Sequence, residues 1–384
     1  MNKIVCISTS PWFPIPTRKQ QVMRRLQNAE ILYFDPPVTY LAPLKDPAAR
    51  EKLRAYKEPG QKVQDNITRF SMPPVLPFFN RFRWINKLNQ RKLARYVRKQ
   101  MKAQGFGDDT LLWCYTPTAA DLAPHVPHKS LVYDCVDRHS AYGGQMNPAV
   151  VDKMEEDLSR QAGQVIATAD ALAERLRAFH SSAVCIPNGA EYELFAQAQQ
   201  PLACPEDLKP LSRPLLGFVG ALQRCIEYGY LAAAAKEHPE WSFVLIGGEK
   251  PGADLAELHT LPNVHFLGLK PHDQLPAYIA QFDVCLNLFD SSPLSRDVSP
   301  LKFYEYLETG KPVVSTPQPA QVLQFGDAIH IAHSPEEFLS ACTDAIYADT
   351  PERRQKRISY AIACSWDARV SQITELLRAK GLMN

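Results

Sequence analysis

The sequence predicts an α/β protein built from two open, parallel sheets in tandem. Three observations carry that expectation. Short apolar runs alternate with longer amphipathic stretches almost from end to end, which is the pattern of βαβ units. The alternation stops once, in a Pro-rich polar stretch at 198–213, and then restarts. A chain of 384 residues exceeds one ordinary core, whereas two domains of roughly 150–200 residues each are comfortable.

In the first half, 3–8, 31–34, 111–115, 131–136, 165–168 and 184–186 read as buried strands, separated by helices at 18–29, 81–104, 150–161 and 171–179. In the second half the strands fall at 215–219, 243–246, 264–267, 284–288, 312–315 and 329–331. Residues 365–380 read as a last helix, with Ser365 as its N-cap. The domains are therefore expected at 1–197 and 214–364, with 198–213 as linker.

Composition excludes several classes. The net charge of +2 is not that of a dedicated nucleic-acid binder, whose footprint is strongly basic. No window reaches the roughly 18 apolar residues of a membrane-spanning helix, and residues 1–8 read as a strand rather than a signal peptide. The nine cysteines are scattered without a C-x-x-C pair, so zinc sites and disulfide frameworks are not expected and a reducing cytoplasm is the natural compartment.

The most informative stretch runs from Asp297 to Thr316. Ser299 reads as a helix cap, Pro300 as the first helical position and Gly310 as the terminating residue. A helix N-terminus offers free N–H groups and partial positive charge, a seat for a diphosphate. Lys302 lies in the first turn, where a cation opposes the dipole unless an anion joins it. Glu305, one turn on, is placed to accept hydrogen bonds from ribose hydroxyls. An ordinary capped helix with a solvated Lys302 and Glu305 accounts for the same residues equally well.

Pro300 to Val314 matches the pattern P-L-K-x-x-E-Y-x-x-x-G-K-P-V-V and so resembles the nucleotide-binding segment of GT-B glycosyltransferases, of family-4 and glucuronosyltransferase type. The resemblance implies two Rossmann-like domains facing a central cleft, with a C-terminal helix at about 365–384 crossing back to the first domain. It also implies that Glu305 holds the ribose and that Ser299, Pro300, Leu301 and Lys302 hold the pyrophosphate. Gly220, in the turn after 215–219, resembles the family's phosphate-approaching glycine. Gly268 and Leu269 resemble the loop that receives the base, uracil before guanine. Asp297 stands where retaining members carry Glu, eight residues before Glu305. Ala221 and Glu227 fall near the places of the family's diphosphate-neutralising Arg and Lys, leaving Arg224, Arg296 and Lys302 as cations.

In the first half, the strand 131–136 runs straight into Asp137, Arg138 and His139. Ligands of open α/β sheets bind beyond the carboxyl ends of strands, so Asp137 or His139 is expected to face the cleft and take the proton of an acceptor hydroxyl. Glucuronosyltransferases of this fold have a similar aspartate, which favours Asp137; a plain turn-capping Asp is the alternative. Asp134, inside the strand, reads as structural. Trp12, Arg18 and Lys19, in the loop and helix after the first strand, look like acceptor contacts, although Trp12 packed beneath its loop is as good a reading. Asn188-Gly189 after Ile186-Pro187 resembles the family's exit from the first domain and reads as architectural. From 66 to 107 no acidic residue occurs while Lys and Arg accumulate beside Phe78, Phe79, Phe82 and Trp84. That segment, 78–102, reads both as a sheet-packing helix and as a contact with an anionic membrane.

The resemblance therefore implies a metal-independent transfer from a nucleotide-sugar donor to a saccharide or lipid-linked saccharide, with no cofactor, at the inner face of the cytoplasmic membrane. Inversion follows if Asp137 is the base. A nucleotide-sugar 2-epimerase and a non-catalytic nucleotide-sugar-binding module are the alternatives.

Overall fold

The computed structural model describes residues 1–14, 16–47, 49–141 and 146–384. It divides into two compact units, Met1–Pro187 with Val370–Asn384, and Asn188–Arg369. In the first unit lie β1 (Asn2–Ile7), β2 (Ala29–Phe34), β3 (Gln61–Gln64), β4 (Ile67–Phe70), β5 (Leu111–Cys114), β6 (Ser130–Cys135), β7 (Gln164–Ala167) and β8 (Val184–Cys185). They form one sheet in the order β3-β4-β2-β1-β5-β6-β7-β8. All neighbours are parallel except β3, which runs antiparallel to β4. The β3–β4 pair was not anticipated from sequence: β3 is an exposed, polar edge strand and carries no apolar run.

The second unit holds β9 (Leu215–Val219), β10 (Ser242–Ile246), β11 (Val264–Gly268), β12 (Val284–Asn287), β13 (Val313–Ser315) and β14 (His330–Ile331). Their order is β11-β10-β9-β12-β13-β14, all parallel. Strands β5, β7, β9, β10 and β12 are buried along their whole length, as parallel strands covered by helices on both faces must be. Two separate apolar clusters cover the second sheet, one around Leu216, Phe243 and Phe338, the other around Val244, Phe282 and Tyr306.

Residues 198–213 lie inside the second unit. Leu208 is buried there, and Lys270 donates to Asp207 at 2.6 Å, so the Pro-rich stretch is packed rather than a free connector. The helix 18–29 is shorter than its pattern, Arg18–Arg25, because Asn28 adopts φ 54 just before β2. The final helix, Trp366–Ala379, begins at Ser365, whose Oγ accepts from the Ala368 N–H at 3.3 Å. From Val370 onward it belongs to the first unit.

In each sheet the strand order reverses beside the first strand of the unit, between β1 and β5 and between β9 and β12. Such switch points leave a crevice beyond the strand ends, where ligands of open α/β sheets bind.

Candidate functional site

In the second unit the crevice is overhung by the helix Leu301–Thr309. Phe303, Tyr304, Tyr306 and Leu307 form its buried face. The Tyr306 hydroxyl accepts from the N–H of Val219, the last residue of β9, at 2.7 Å, which pins the helix to that strand end. Lys302 and Glu305, three residues apart, share the other face and are half-buried. The Lys302 ammonium lies 3.7 Å from the ring centroid of Phe218 and 4.6 Å from that of Phe289, cation–π seats that hold it over the ends of β9 and β12.

The backbone there is bare. Gly220 has φ +146 and Gly247 φ +154, and a Cβ on Gly247 would fall 1.9 Å from the Gly220 carbonyl oxygen. Two strand ends approach as closely as they do because neither residue carries a side chain. A Cβ at Gly220 would sit 3.4 Å from the Lys302 Nζ, so the glycine also keeps space open beside the ammonium. Gly268 ends β11 with open space around it, and Leu269 beside it is exposed.

Burial sets the charge of this site. Desolvation pushes the Lys302 pKa down to about 7, against the opposing pull of Cys225 and Glu305. Desolvation, reinforced by Glu191, pushes Glu305 up to about 8, with Lys302 working the other way. Further along the same stripe Glu308 is fully buried, and neither of its carboxyl oxygens meets a hydrogen-bonding group. Burial raises its pKa to about 9, so it is a neutral acid at pH 7.

The helix cap departs from the sequence reading. Pro300, not Ser299, occupies the N-cap, and no side chain caps the helix. The Ser299 hydroxyl instead accepts from the Asn188 N–H at 3.0 Å, and the Ser299 carbonyl accepts from the Asn188 side chain at 2.8 Å. Ser299 thus anchors the chain's entry into the second unit. The first N–H groups of the helix have no side-chain cap, as an anion seat requires. Gly310 ends the helix with φ 70. Asp297 is buried at the end of a short turn of helix. Glu227 accepts from the Gly229 N–H at 3.2 Å as a helix cap, while Arg224 and Arg296 are exposed. Lys302 is the one of these three cations held beside Gly220.

In the first unit the crevice widens into a cavity of about 460 Å³. Ser8 and Thr9 after β1, Pro36 and Pro37 after β2, Thr116 and Thr118 after β5, and Asp137 and His139 after β6 contribute to its lining. The turn that carries Asp137 is fixed by its backbone: the Cys135 thiol donates to the Asp137 carbonyl at 3.4 Å, and the Thr168 hydroxyl to the Val136 carbonyl at 2.9 Å. Burial lowers the pKa of His139, with Glu155 and Asp137 pulling it back, so the imidazole is neutral at pH 7. Lys19 also lines the cavity, its ammonium 5.9 Å from the Tyr115 ring centroid. Burial lowers its pKa against the attraction of Asp137 and Asp134.

Two neighbours expected at the acceptor are elsewhere. Trp12 is buried edge-on against Tyr33, ring centroids 4.8 Å apart, and its backbone N–H donates to the Asp35 carboxylate at 2.9 Å. No face of it is left for a sugar, so it packs beneath its loop. Arg18 is buried with its Nε 2.9 Å from the Asp134 carboxylate, and its Nη1 donates to the Ile186 and Pro187 carbonyls. Its charge neutralises Asp134, which is fully buried, and it cannot reach an acceptor phosphate. The aromatic seats Phe218 and Phe289, the strut Tyr306 and the neutral acid Glu308 were not singled out from sequence. The helical pattern of 301–309 covers Tyr306 and Glu308, but nothing local marks Phe218 or Phe289, which lie at the ends of other strands and meet Lys302 only through the tertiary fold.

Two Rossmann-like units, each with a ligand crevice at its switch point, define the GT-B class, and solved structures bear this out. A sucrose-phosphate synthase from Thermosynechococcus elongatus superposes with a TM-score of 0.70 at 17% identity, covering 99% of each chain. A trehalose-6-phosphate protein of E. coli bound with UDP-2-fluoro glucose gives a TM-score of 0.70 at 14% identity, covering 98% of this chain and 99% of that one. Residues 213–347 match the family "Glycosyl transferases group 1". Over 345 residues the chain is 26% identical to a Bacillus subtilis (strain 168) protein described as the teichuronic acid biosynthesis glycosyltransferase TuaH, covering 83% of this chain and 85% of the relative. The chain has the GT-B fold, and its second unit is similar to group 1 glycosyl transferases over residues 213–347.

Proposed function

We propose that this enzyme transfers a sugar from a UDP-linked donor to a saccharide or lipid-linked saccharide acceptor during polysaccharide synthesis, with inversion and without a metal. The observation that carries the reading is the Lys302 ammonium, held over Phe218 and Phe289 beside Gly220 at the start of a helix with no side-chain cap. A diphosphate there meets fixed N–H donors and a cation that gains charge as the anion arrives. Glu305 faces the ribose, and Gly268 and Leu269 leave backbone for the base. The UDP assignment is supported by the E. coli structure of the same fold, solved with UDP-2-fluoro glucose. The polysaccharide assignment is supported by the teichuronic acid relative.

The first unit supplies the acceptor side. Asp137 takes the proton as the acceptor oxygen attacks the anomeric carbon; the bond from that carbon to the diphosphate breaks, and the electron pair leaves with the nucleotide. Neutral His139 is the second candidate for the same proton. Lys19 in the cavity faces an acceptor phosphate or hydroxyl. The departing charge is met by the helix N–H groups and Lys302, which is why no metal is required.

The helix Arg83–Ala103 supports a peripheral membrane contact on the cytoplasmic side. Lys87, Arg91, Arg95, Arg98, Lys99 and Lys102 are exposed along it with Leu88 and Trp84, the latter 63% exposed, and Arg81 and Phe82 are exposed just before it. Among the described residues no helix is long and apolar enough to cross a membrane. Incubating the protein with nucleotide sugars and membrane-extracted acceptors tests the activity, and NMR of the product anomer tests the stereochemistry. Retained configuration removes Asp137 as the base, and donor conversion without acceptor would make the protein an epimerase. Sedimentation with anionic against zwitterionic vesicles tests the membrane contact, which salt should release.

A further inference from the structure

The cavity of the first unit has two kinds of lining. Around the strand ends it is polar, with Ser8, Thr9, Lys19, Thr116, Thr118 and Asp137. Much of the remainder is hydrocarbon, from Met72, Val75, Phe79, Leu93, Met146 and Val151. Of the amides among these apolar groups, Asn89 and Gln90 are engaged in the fold. Asn89 accepts from the Leu76 N–H and donates to the Leu76 carbonyl, both at 2.9 Å, and Gln90 donates to the Asn86 side chain at 3.1 Å. A saccharide pushed into that region would leave hydroxyls without partners, which is costly away from water.

The segment that supplies part of this wall is itself unusual. Val75 and Phe79 line the cavity, whereas Leu76, Phe78 and Phe82 are exposed. Phe78 has φ 63, a left-handed conformation disfavoured for any residue with a Cβ. Its carbonyl accepts from the N–H groups of Arg81 and Phe82 at 2.9 and 3.0 Å. That reversal sends Phe78 outward and Phe79 inward. Backbone strain of this kind persists where surrounding structure over-determines it, commonly at ligand clamps. One short strand of chain therefore offers aromatic groups to the solvent and to the cavity at once.

We infer that the cavity is a subsite for the hydrocarbon portion of an amphiphilic acceptor. The chain lies against Val75, Phe79, Leu93 and Val151, and the polar end, a phosphate or sugar, lies toward Lys19 and Asp137. The inference rests on the acceptor assignment made above and narrows it from saccharides in general to those that carry an apolar chain. The exposed Leu76, Phe78 and Phe82 make the same segment the point where such a chain would pass from a lipid surface to the cavity.

Calorimetric titration with n-alkyl phosphates of increasing length, kept below micelle-forming concentrations, tests this directly. Affinity should rise by about fourfold per methylene and level off once the cavity is full. Phe79→Asp, which places a carboxylate in the wall, and Val151→Trp, which fills it, should each abolish the length dependence. Folding of both variants is checked by circular dichroism and by a complete thermal melt matched to that of the unaltered protein. A flat series in the unaltered protein, or a length dependence that survives in both folded variants, overturns the subsite. Sugar transfer to membrane-extracted acceptors is scored separately. Transfer with a flat series leaves the transferase reading intact and removes only the apolar subsite; a length-dependent series without transfer from any nucleotide sugar does the reverse.

Discussion

The two units use one topology to make unlike sites. After β9 the chain turns through glycine, and after β10 it does so again, so the crevice between β9 and β12 is walled by backbone, with one ammonium laid over two rings. After β1, β2 and β5 the loops carry side chains instead, and the crevice between β1 and β5 opens into a chamber with a polar and an apolar part. Backbone and a fixed cation suit a diphosphate, the same in every donor. A lined chamber suits an acceptor, whose shape and polarity must be told apart. The buried cations divide in the same way: Arg18 is fixed on Asp134, whereas Lys302 has Glu305 for a neighbour and that carboxyl is itself pushed toward neutrality.

If this division is right, the units should fail separately. Asp137→Asn should lower kcat by about 10²–10⁴-fold, the usual worth of a positioned base, while UDP binds as before. A parallel loss of UDP affinity would break the comparison, because it would place Asp137 in the nucleotide seat. Next in size is Arg18→Met, which leaves the Asp134 carboxylate buried and unpaired. Loss of one partner of such a pair costs about 3–5 kcal/mol, to be read as a lower urea midpoint. Should the variant keep its stability and lose acceptor affinity instead, Arg18 would return to the acceptor site. Lys302→Ala should then cost about 10²–10³-fold in kcat/KM, as removal of a preorganised donor to a developing anion does. Its defect should appear equally in UDP affinity measured without acceptor.

The fold was legible because its signals are local. Buried parallel strands read as apolar runs, and 300–314 announces a proline start and a glycine stop. The helix Leu301–Thr309 was placed well for the same reason, but its cap was not: Ser299 looks like an N-cap by residue type, yet its hydroxyl is taken by Asn188, more than a hundred positions earlier. Arg18 was misplaced, and Trp12 was left between two readings, for a related cause. Residue type says that an indole can stack and a guanidinium can bind phosphate; only tertiary packing shows that Tyr33 covers the first and Asp134 holds the second. The polar edge strand β3 escaped because an exposed strand has no apolar pattern to read.

The pH dependence of nucleotide binding sharpens the comparison furthest. Burial lowers the Lys302 pKa to about 7. Below that pH the ammonium is already formed and meets the diphosphate at no further cost; above it, a proton must be taken up on binding. UDP affinity should therefore fall as pH rises from 7 to 9, by up to about tenfold per unit, a window in which the terminal phosphate, with a second ionisation near about 6, is already fully charged. Glu305 acts in the opposite sense, since its charge favours the ammonium and it ionises only as pH passes about 8. Glu305→Gln should thus move the loss of affinity to lower pH, and Lys302→Arg, whose guanidinium stays charged, should flatten it. Calorimetry at pH 8 in two buffers of different ionisation enthalpy would show the proton uptake directly. Equal heats in both buffers would mean that Lys302 remains charged in the free enzyme, and that the desolvated ammonium is not what the diphosphate finds.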